Sequence, residues 1–245
     1  FEMCLPMNSG AEAVETAIKS TRRWGYRTKG VEPDKAEIIV AEGNFHGRTT
    51  TIISFSSDEN SRHDFGPHTP GFETVKYGCA KSIEAAVNEN TVAVLIEPIQ
   101  GEGGIIVPPE NYLKEVREIC TKNNVLMILD EIQSGLGRTG KLFAYQHSCG
   151  DCNCEIGCKE DQPKESKPDG LILGKALGGG FMPVSCFLTS KEVMQWMNPG
   201  SHGSTFGGNP LAAAIAKRSI ELLDEDKLIE NSKIMGDYFK KSLID

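Results

Sequence analysis

Apolar residues are spaced along the chain in two distinct ways. Nearly continuous apolar runs predict buried strands, whereas apolar positions three and four residues apart predict helices with one buried face. The predicted strands are Ala36–Ala41, Thr50–Ser56, Thr91–Pro98, Val125–Leu129, Asp169–Lys175 and Val184–Ser190. The predicted helices are Ala11–Trp24, Tyr112–Asn123 and Asn209–Leu223. Because helices alternate with apolar strands, the pattern predicts an α/β fold whose mostly parallel sheet is covered by helices on both faces.

Three of the predicted strands end in a charged residue. The runs "AVLIE", "LMILD" and "LILGK" end at Glu97, Asp130 and Lys175. A charge at the end of a single strand is most simply the solvated start of a loop. The carboxyl ends of parallel strands, however, lie at one edge of an open α/β sheet, and ligands bind there. We therefore expect the three side chains to converge on one cleft.

A glycine-rich stretch follows the second of these strands. The sequence "GLGRTGK" at Gly135–Lys141 matches G-x-G-x-x-G and comes close to a P-loop. Leu142 stands where a P-loop needs a hydroxyl group for magnesium, and the residues "EIQS" separate the glycines from the strand. No helical pattern follows, so we interpret the stretch as a turn rather than a nucleotide-binding loop.

Two other segments have the features of an anion site. In "NSGAEAVETA", Ser9 and Gly10 stand at the start of a predicted helix, where free backbone N–H groups and the helix dipole favour phosphate. Ordinary capping by Ser9 is the alternative interpretation. The loop "HGSTFGGNP", with Ser204 and Thr205, precedes another predicted helix and is a second candidate.

A lysine, a carboxylate and a phosphate site together indicate pyridoxal 5′-phosphate as cofactor. Lys175 would form a Schiff base with its aldehyde, and Asp130 would keep the pyridine nitrogen protonated so that the ring accepts electrons. A carboxylate beside a pyridinium also compensates both buried charges.

Composition limits the kinds of partner and the compartment that we expect for this chain. The chain has 245 residues and a net charge of −8 without a long basic stripe, so we expect no nucleic-acid partner. No apolar stretch approaches the length of a membrane span, so we expect no membrane partner. Eight cysteines without a secretory signal indicate a reducing compartment, either cytoplasm or mitochondrial matrix, rather than a disulfide framework.

The motifs resemble those of a known family. The stretches "LMILDEIQSGLGRTG", "LGKALGGG", "EPIQGEGG" and "GSHGSTFGGNP" resemble subgroup III of the fold-type I pyridoxal-phosphate-dependent aminotransferases. Within it, "LPMNSGAEAVETA", "GNFHGRT" and "DFGPHTPGF" are similar to the ornithine aminotransferases. The resemblance covers almost the whole chain except residues 147–168. It implies that residues 1–245 form the large cofactor-binding domain and that 147–168 is an inserted loop.

The resemblance also implies roles for individual residues. Lys175 matches the Schiff-base lysine and Asp130 the partner of the pyridine nitrogen. Ser9, Gly10 and Ala11 are implied to contact the cofactor's phosphate, and Phe45 and Ile132 the two faces of its ring. Gln133 is implied to contact its phenolic oxygen. Ser204 and Thr205 are also implied to be cofactor-binding residues.

Substrate and partner residues follow in the same way. Arg48 matches the arginine that holds the ornithine carboxylate, and Glu102 matches a glutamate that pairs with a switch arginine. Thr205 matches the threonine that reaches the cofactor of the neighbouring subunit, which implies a homodimer. The switch arginine belongs to a C-terminal small domain that this sequence does not include. Together with a start that lacks an initiator Met, this leads us to expect a central part of a longer protein.

The implied reaction transfers the δ-amino group of L-ornithine to 2-oxoglutarate and gives glutamate semialdehyde and glutamate. An enzyme acting on acetylornithine or 4-aminobutyrate is the alternative, because "FHGRT" is shared with the acetylornithine enzymes, while "DFGPHTPGF" favours ornithine. A truncated, non-catalytic homologue is a third possibility, which the retention of Lys175, Asp130 and Gln133 opposes.

The inserted loop contains a cluster of cysteines. Cys149, Cys152, Cys154 and Cys158 have the spacing C-x2-C-x-C-x3-C. Four thiolates can bind zinc, with His147 as a substitute ligand, but the spacing is not that of a standard finger. Exposed, redox-sensitive thiols are an equal alternative, and we assign no metal site.

Overall fold

The computed structural model describes residues 1–148 and 166–244. Within them a mixed sheet of seven strands forms the centre of the fold. The strands are β1 (Met3–Met7), β2 (Glu37–Ala41), β3 (Phe72–Val75), β4 (Thr91–Ile96), β5 (Leu126–Asp130), β6 (Gly170–Leu173) and β7 (Ser185–Thr189). Their order across the sheet is β1-β7-β6-β5-β4-β2-β3. Strands β3, β2, β4, β5 and β6 are parallel, and β7 is antiparallel to both β6 and β1.

Helices cover both faces of this sheet, as the sequence predicted. The α-helices are α1 (Gly10–Trp24), α2 (Thr50–Ile53), α3 (Glu59–Arg62), α4 (Ala80–Ala86), α5 (Tyr112–Lys122), α6 (Lys191–Met194), α7 (Pro210–Glu225) and α8 (Leu228–Ile244). A π-helical turn spans Gly25–Lys29, and 3₁₀ turns span Ala144–Ser148 and Lys175–Gly178. Helices α1 and α6 pack on one face, and α4 and α5 pack on the other. Among the described residues, none of the helices combines the length and apolarity needed to cross a membrane.

The central strands are buried on both sides because their side chains alternate between two separate cores. In β5, Met127 and Leu129 face α5, while Leu126 and Ile128 face α1. The same alternation explains why these strands are continuous apolar runs in the sequence rather than amphipathic ones.

One predicted strand is wrong. The run Thr50–Ser56 contains β-branched residues typical of strands, yet its first residues form the short helix α2. The Thr49 hydroxyl accepts a hydrogen bond from the Ile52 N–H and caps this helix. Both Ile52 and Ile53 are buried. A local cap and burial of one face therefore outweigh the intrinsic preference of the sequence.

The glycine-rich stretch after β5 is a turn, as predicted. Gly137 and Gly140 both have positive φ, at 87° and 81°, and the Gly140 N–H donates to the Gly137 carbonyl at 3.1 Å. Of the predicted insert at 147–168, residues 149–165 lie outside the described residues. The alternatives for Cys149, Cys152, Cys154 and Cys158 therefore stay predictions.

Candidate active site

The three charged strand ends converge, as the sequence predicted. Glu97 follows β4, Asp130 ends β5, and Lys175 follows β6 one residue beyond Gly174. All three line one cavity of about 200 Å³ at the carboxyl edge of the parallel strands. The remaining lining residues are Gly10, Ala11, Phe45, His46, Gly47, Ile99, Ile132 and Gln133. We call this space the inner cavity.

Asp130 is almost fully buried and is held from two sides. Its Oδ2 lies 2.7 Å from Nδ1 of His46, and its Oδ1 accepts a hydrogen bond from the Ile132 N–H at 3.0 Å. A carboxylate accepts hydrogen bonds, so Nδ1 of His46 carries the hydrogen. The carboxylate is thereby fixed in direction while lone pairs on both oxygens remain for a further donor.

Sequence reasoning missed His46. Its side chain is fully buried although it stands in a loop, and its Nε2 has no hydrogen-bond partner among the described residues. The available signal was its place next to Phe45 in "GNFHGRT". His46 and Asp130 are 84 positions apart in the chain, however, so their contact depends on how the loop after β2 returns over β5.

Lys175 stands at a strained backbone position at the mouth of the inner cavity. Its φ is 39°, in the left-handed region that non-glycine residues rarely adopt. Its Nζ donates a hydrogen bond to Oε1 of Gln133. Gly101 lies against the same amide, and a Cβ added there would lie 2.4 Å from Nε2 of Gln133. A side chain at position 101 would therefore displace the partner of the lysine.

The start of α1 forms one wall of the inner cavity. Ser9 is the N-cap, and its hydroxyl accepts from the Glu12 N–H at 3.3 Å, while the Glu12 carboxylate accepts from the Ser9 N–H at 2.7 Å. This capping box leaves the next N–H groups, those of Gly10 and Ala11, as the ones without an intrahelical partner. A Cβ on Gly10 would lie 2.9 Å from Cδ1 of Ile132, so glycine keeps this wall close to the cavity.

Ser204 and Thr205 are neighbours in one loop, but their side chains have different surroundings. The Ser204 hydroxyl donates to the Glu12 carboxylate at 3.0 Å and accepts from the Asn8 amide at 2.7 Å, which ties this loop to the start of α1. Thr205 is exposed and is not among the residues that line the inner cavity.

Arg48 and Glu102 both line a second space, which we call the outer cavity. It measures about 330 Å³ and shares Phe45, His46 and Gly47 with the inner cavity, so the two adjoin. The Arg48 guanidinium lies over the Phe45 ring, with Cζ 4.9 Å from the ring centroid. The outer cavity therefore presents a cation on one loop and a carboxylate on another.

Glu131, directly after Asp130, is turned away from both cavities. Its carboxylate accepts hydrogen bonds from the Ala144 N–H and the Tyr145 N–H, each at 2.9 Å, and from the Ser134 hydroxyl at 2.8 Å. Burial raises its pKa to about 7 despite these donors. Burial also raises the pKa of Glu97, an effect that the Asp130 carboxylate strengthens and His46 opposes. Glu131 thus orders the 3₁₀ turn at Ala144–Ser148, whereas Glu97 and Asp130 face the inner cavity.

Comparison with known proteins agrees with this geometry. The class-III aminotransferase family matches residues 2–245. Ornithine aminotransferase 2 of Staphylococcus saprophyticus is 52% identical over 239 residues, which are 98% of this chain and 56% of that protein. The chain thus spans about half the length of the relatives that it matches.

Two solved structures are also similar. An ornithine aminotransferase of Toxoplasma gondii, described with partial occupancy of PLP at its active site, has a TM-score of 0.91 and 42% identity. The alignment covers 99% of this chain and 54% of that one. An acetylornithine aminotransferase of Elizabethkingia anophelis has a TM-score of 0.81 and 47% identity, with 99% and 56% coverage. Both structures share the arrangement of sheet and helices described above.

Proposed function

The chain belongs to the class-III aminotransferase family, and we propose from that premise that the protein transfers the δ-amino group of L-ornithine to 2-oxoglutarate. The products are glutamate semialdehyde and glutamate. The observation that carries the proposal is the convergence of Lys175, Asp130 and Gln133 on one cavity beside the start of α1. Relatives named ornithine aminotransferase support the choice of substrate.

The residues of the inner cavity fit pyridoxal 5′-phosphate. The Lys175 amine, a buried carboxylate and an aromatic ring surround this space. Its wall at Gly10 has no room for a side chain, because a Cβ there would collide with Ile132. Lys175 would hold the cofactor covalently through Nζ, and the Gly10 and Ala11 N–H groups would hold its phosphate. Asp130 would face its ring nitrogen, and Phe45 and Ile132 would enclose its ring. When bound, the cofactor supplies an electron sink for the carbon that loses a proton.

The chain's own groups have distinct tasks in this reaction. Once the substrate amine has displaced it from the cofactor, Nζ of Lys175 would be the base that moves a proton at the reacting carbon, and the Gln133 amide would hold that nitrogen in place. His46 and the Ile132 N–H fix the Asp130 carboxylate, so its charge is oriented before the cofactor binds. Burial of Asp130 excludes water from this contact and strengthens it.

The outer cavity is the proposed place for the far end of ornithine. The terminal amine must point toward Lys175, so the α-carboxylate has to be held away from it. Arg48 lines the outer cavity, which adjoins the inner cavity, and its positive charge is suited to bind this carboxylate. Glu102 is the proposed partner of a switch arginine from outside this chain. A homodimer in which Thr205 reaches the neighbouring site is part of the same proposal, and the exposure of Thr205 supports it.

An acetylornithine aminotransferase is the second candidate, because one such enzyme is 47% identical to this chain. The test is an absorbance spectrum of the protein, expressed from its complete reading frame and saturated with pyridoxal 5′-phosphate. Rapid bleaching of the cofactor band by ornithine, but only slow bleaching by acetylornithine, is the expected result. The opposite preference would replace ornithine by acetylornithine, and no change with either would refute the proposed function.

A further inference from the structure

Glu97 joins two loops that lie far apart in the sequence. Its Oε2 accepts a hydrogen bond from the Phe45 N–H at 3.1 Å, and its Oε1 accepts one from the Gly101 N–H at 3.2 Å. The first donor belongs to the loop after β2, residues 42–49, which we call the Phe45 loop. The second belongs to the loop after β4, residues 98–106, which we call the Gly101 loop.

The two loops are in contact around this carboxylate. The Gln100 amide donates to the Glu42 carbonyl at 2.8 Å. Gly103 packs so closely on the other loop that an added Cβ would lie 2.6 Å from the Gly43 carbonyl oxygen. The first contact is a hydrogen bond to a backbone carbonyl of the Phe45 loop, and the second is a packing contact with the backbone of that loop. Glu97, by contrast, engages one backbone N–H from each loop with the two oxygens of a single side chain.

Each loop contributes one charged residue to the outer cavity. Arg48 comes from the Phe45 loop and Glu102 from the Gly101 loop. We propose that Glu97 is a positioning residue whose carboxylate sets the spacing of these two loops, and thereby the place of Arg48 relative to Glu102. The inference rests on the proposed function only in assigning the outer cavity to the substrate. The loop contacts themselves do not depend on it.

The need for a carboxylate follows from hydrogen bonding. Two N–H donors require two acceptor oxygens on one side chain, which a carboxylate provides and an amide does not. In Glu97→Gln the amide NH₂ would face either the Phe45 N–H or the Gly101 N–H and leave it without an acceptor in a partly buried place. Glu97→Asp keeps both oxygens on a shorter stem and is therefore the conservative variant.

Hydrogen–deuterium exchange tests this inference without any reaction. In the full protein, Glu97→Gln should raise exchange rates about 10-fold in peptides covering 42–49 and 98–106, as the loss of one partly buried hydrogen bond implies. Peptides from β5 should be unchanged, and Glu97→Asp should restore part of the protection. Glu110→Gln, at an exposed position outside both cavities, is the matched control.

Steady-state kinetics provide the second readout. Glu97→Gln should raise KM for ornithine about 10-fold, with a smaller change in kcat and in cofactor affinity measured by absorbance titration. Unchanged exchange in both loops would overturn the inference, whether or not the protein is an aminotransferase. A fall in kcat and cofactor affinity with KM unchanged would overturn it too, since Glu97 would then act on the inner cavity. If Glu97→Gln does not fold, exchange in the wild-type protein decides: Phe45 and Gly101 N–H groups that exchange as fast as those of an exposed loop would contradict their hydrogen bonds to Glu97.

Discussion

Arg48→Ala removes a guanidinium that lies over the Phe45 ring at the wall between the two cavities. The stacking is worth about 0.5–1 kcal/mol at an exposed site, so the fold should tolerate its loss. A charged hydrogen bond to a substrate carboxylate contributes about 1.5–3 kcal/mol. We therefore expect kcat/KM for ornithine to fall roughly 10- to 150-fold.

The loss should be unequal between the two half-reactions. Glutamate reacts at its α-amine, so its carboxylates are placed differently and Arg48 should matter less for it. Single-turnover kinetics of Arg48→Ala, with ornithine and separately with glutamate, measure the two effects. Arg48→Lys keeps the charge but loses two-pronged binding and should lie between wild type and alanine. Arg27→Ala, exposed and outside both cavities, is the control. Equal losses with both substrates would refute the ornithine-specific role of Arg48.

Two further substitutions test the buried acids. Asp130→Asn should abolish turnover while circular dichroism and the unfolding midpoint remain near wild type; near-normal turnover would limit Asp130 to a structural role. Burial raises the pKa of Glu131 from 4.5 to about 7. At about 1.4 kcal/mol per pKa unit, this shift changes the free energy of unfolding by about 3 kcal/mol between low and high pH. This contribution to the free energy of unfolding is fully present below pH 4.5 and is lost as the pH rises through 7. Glu131→Gln should therefore show a flatter free energy of unfolding between pH 4.5 and 7.5 in urea titrations, and a slope equal to that of wild type would contradict the raised pKa.

The inner cavity could be predicted from the sequence because it depends on a rule of parallel sheets. Glu97, Asp130 and Lys175 each follow an apolar run, and adjacent parallel strands bring their carboxyl ends together whatever the loops do. The contact between His46 and Asp130 could not be predicted in this way. It requires the path of the loop after β2, which the apolar pattern does not specify.

The directions of two adjacent acidic side chains could not be predicted from the sequence either. Asp130 and Glu131 are equivalent in the sequence, but successive residues at a strand end point in different directions. One faces the inner cavity, and the other accepts hydrogen bonds from the turn at Ala144–Ser148. The incorrect prediction of a strand at Thr50–Ser56 also has a local cause. These residues permit either a helix or a strand, and the Thr49 cap favours the helix. The roles that the resemblance implies for Thr205, Arg48 and Glu102 stay predictions.

The most direct test of the proposed active site is the identity of the lysine that holds the cofactor. The protein expressed from its complete reading frame would be saturated with pyridoxal 5′-phosphate, reduced with borohydride and digested, and the labelled peptide would be sequenced by mass spectrometry. A pyridoxyl group on Lys175 is the predicted result, with the label lost in Lys175→Ala. A label on another lysine, or no stable label on a folded protein, would contradict the assignment of the inner cavity as the cofactor site.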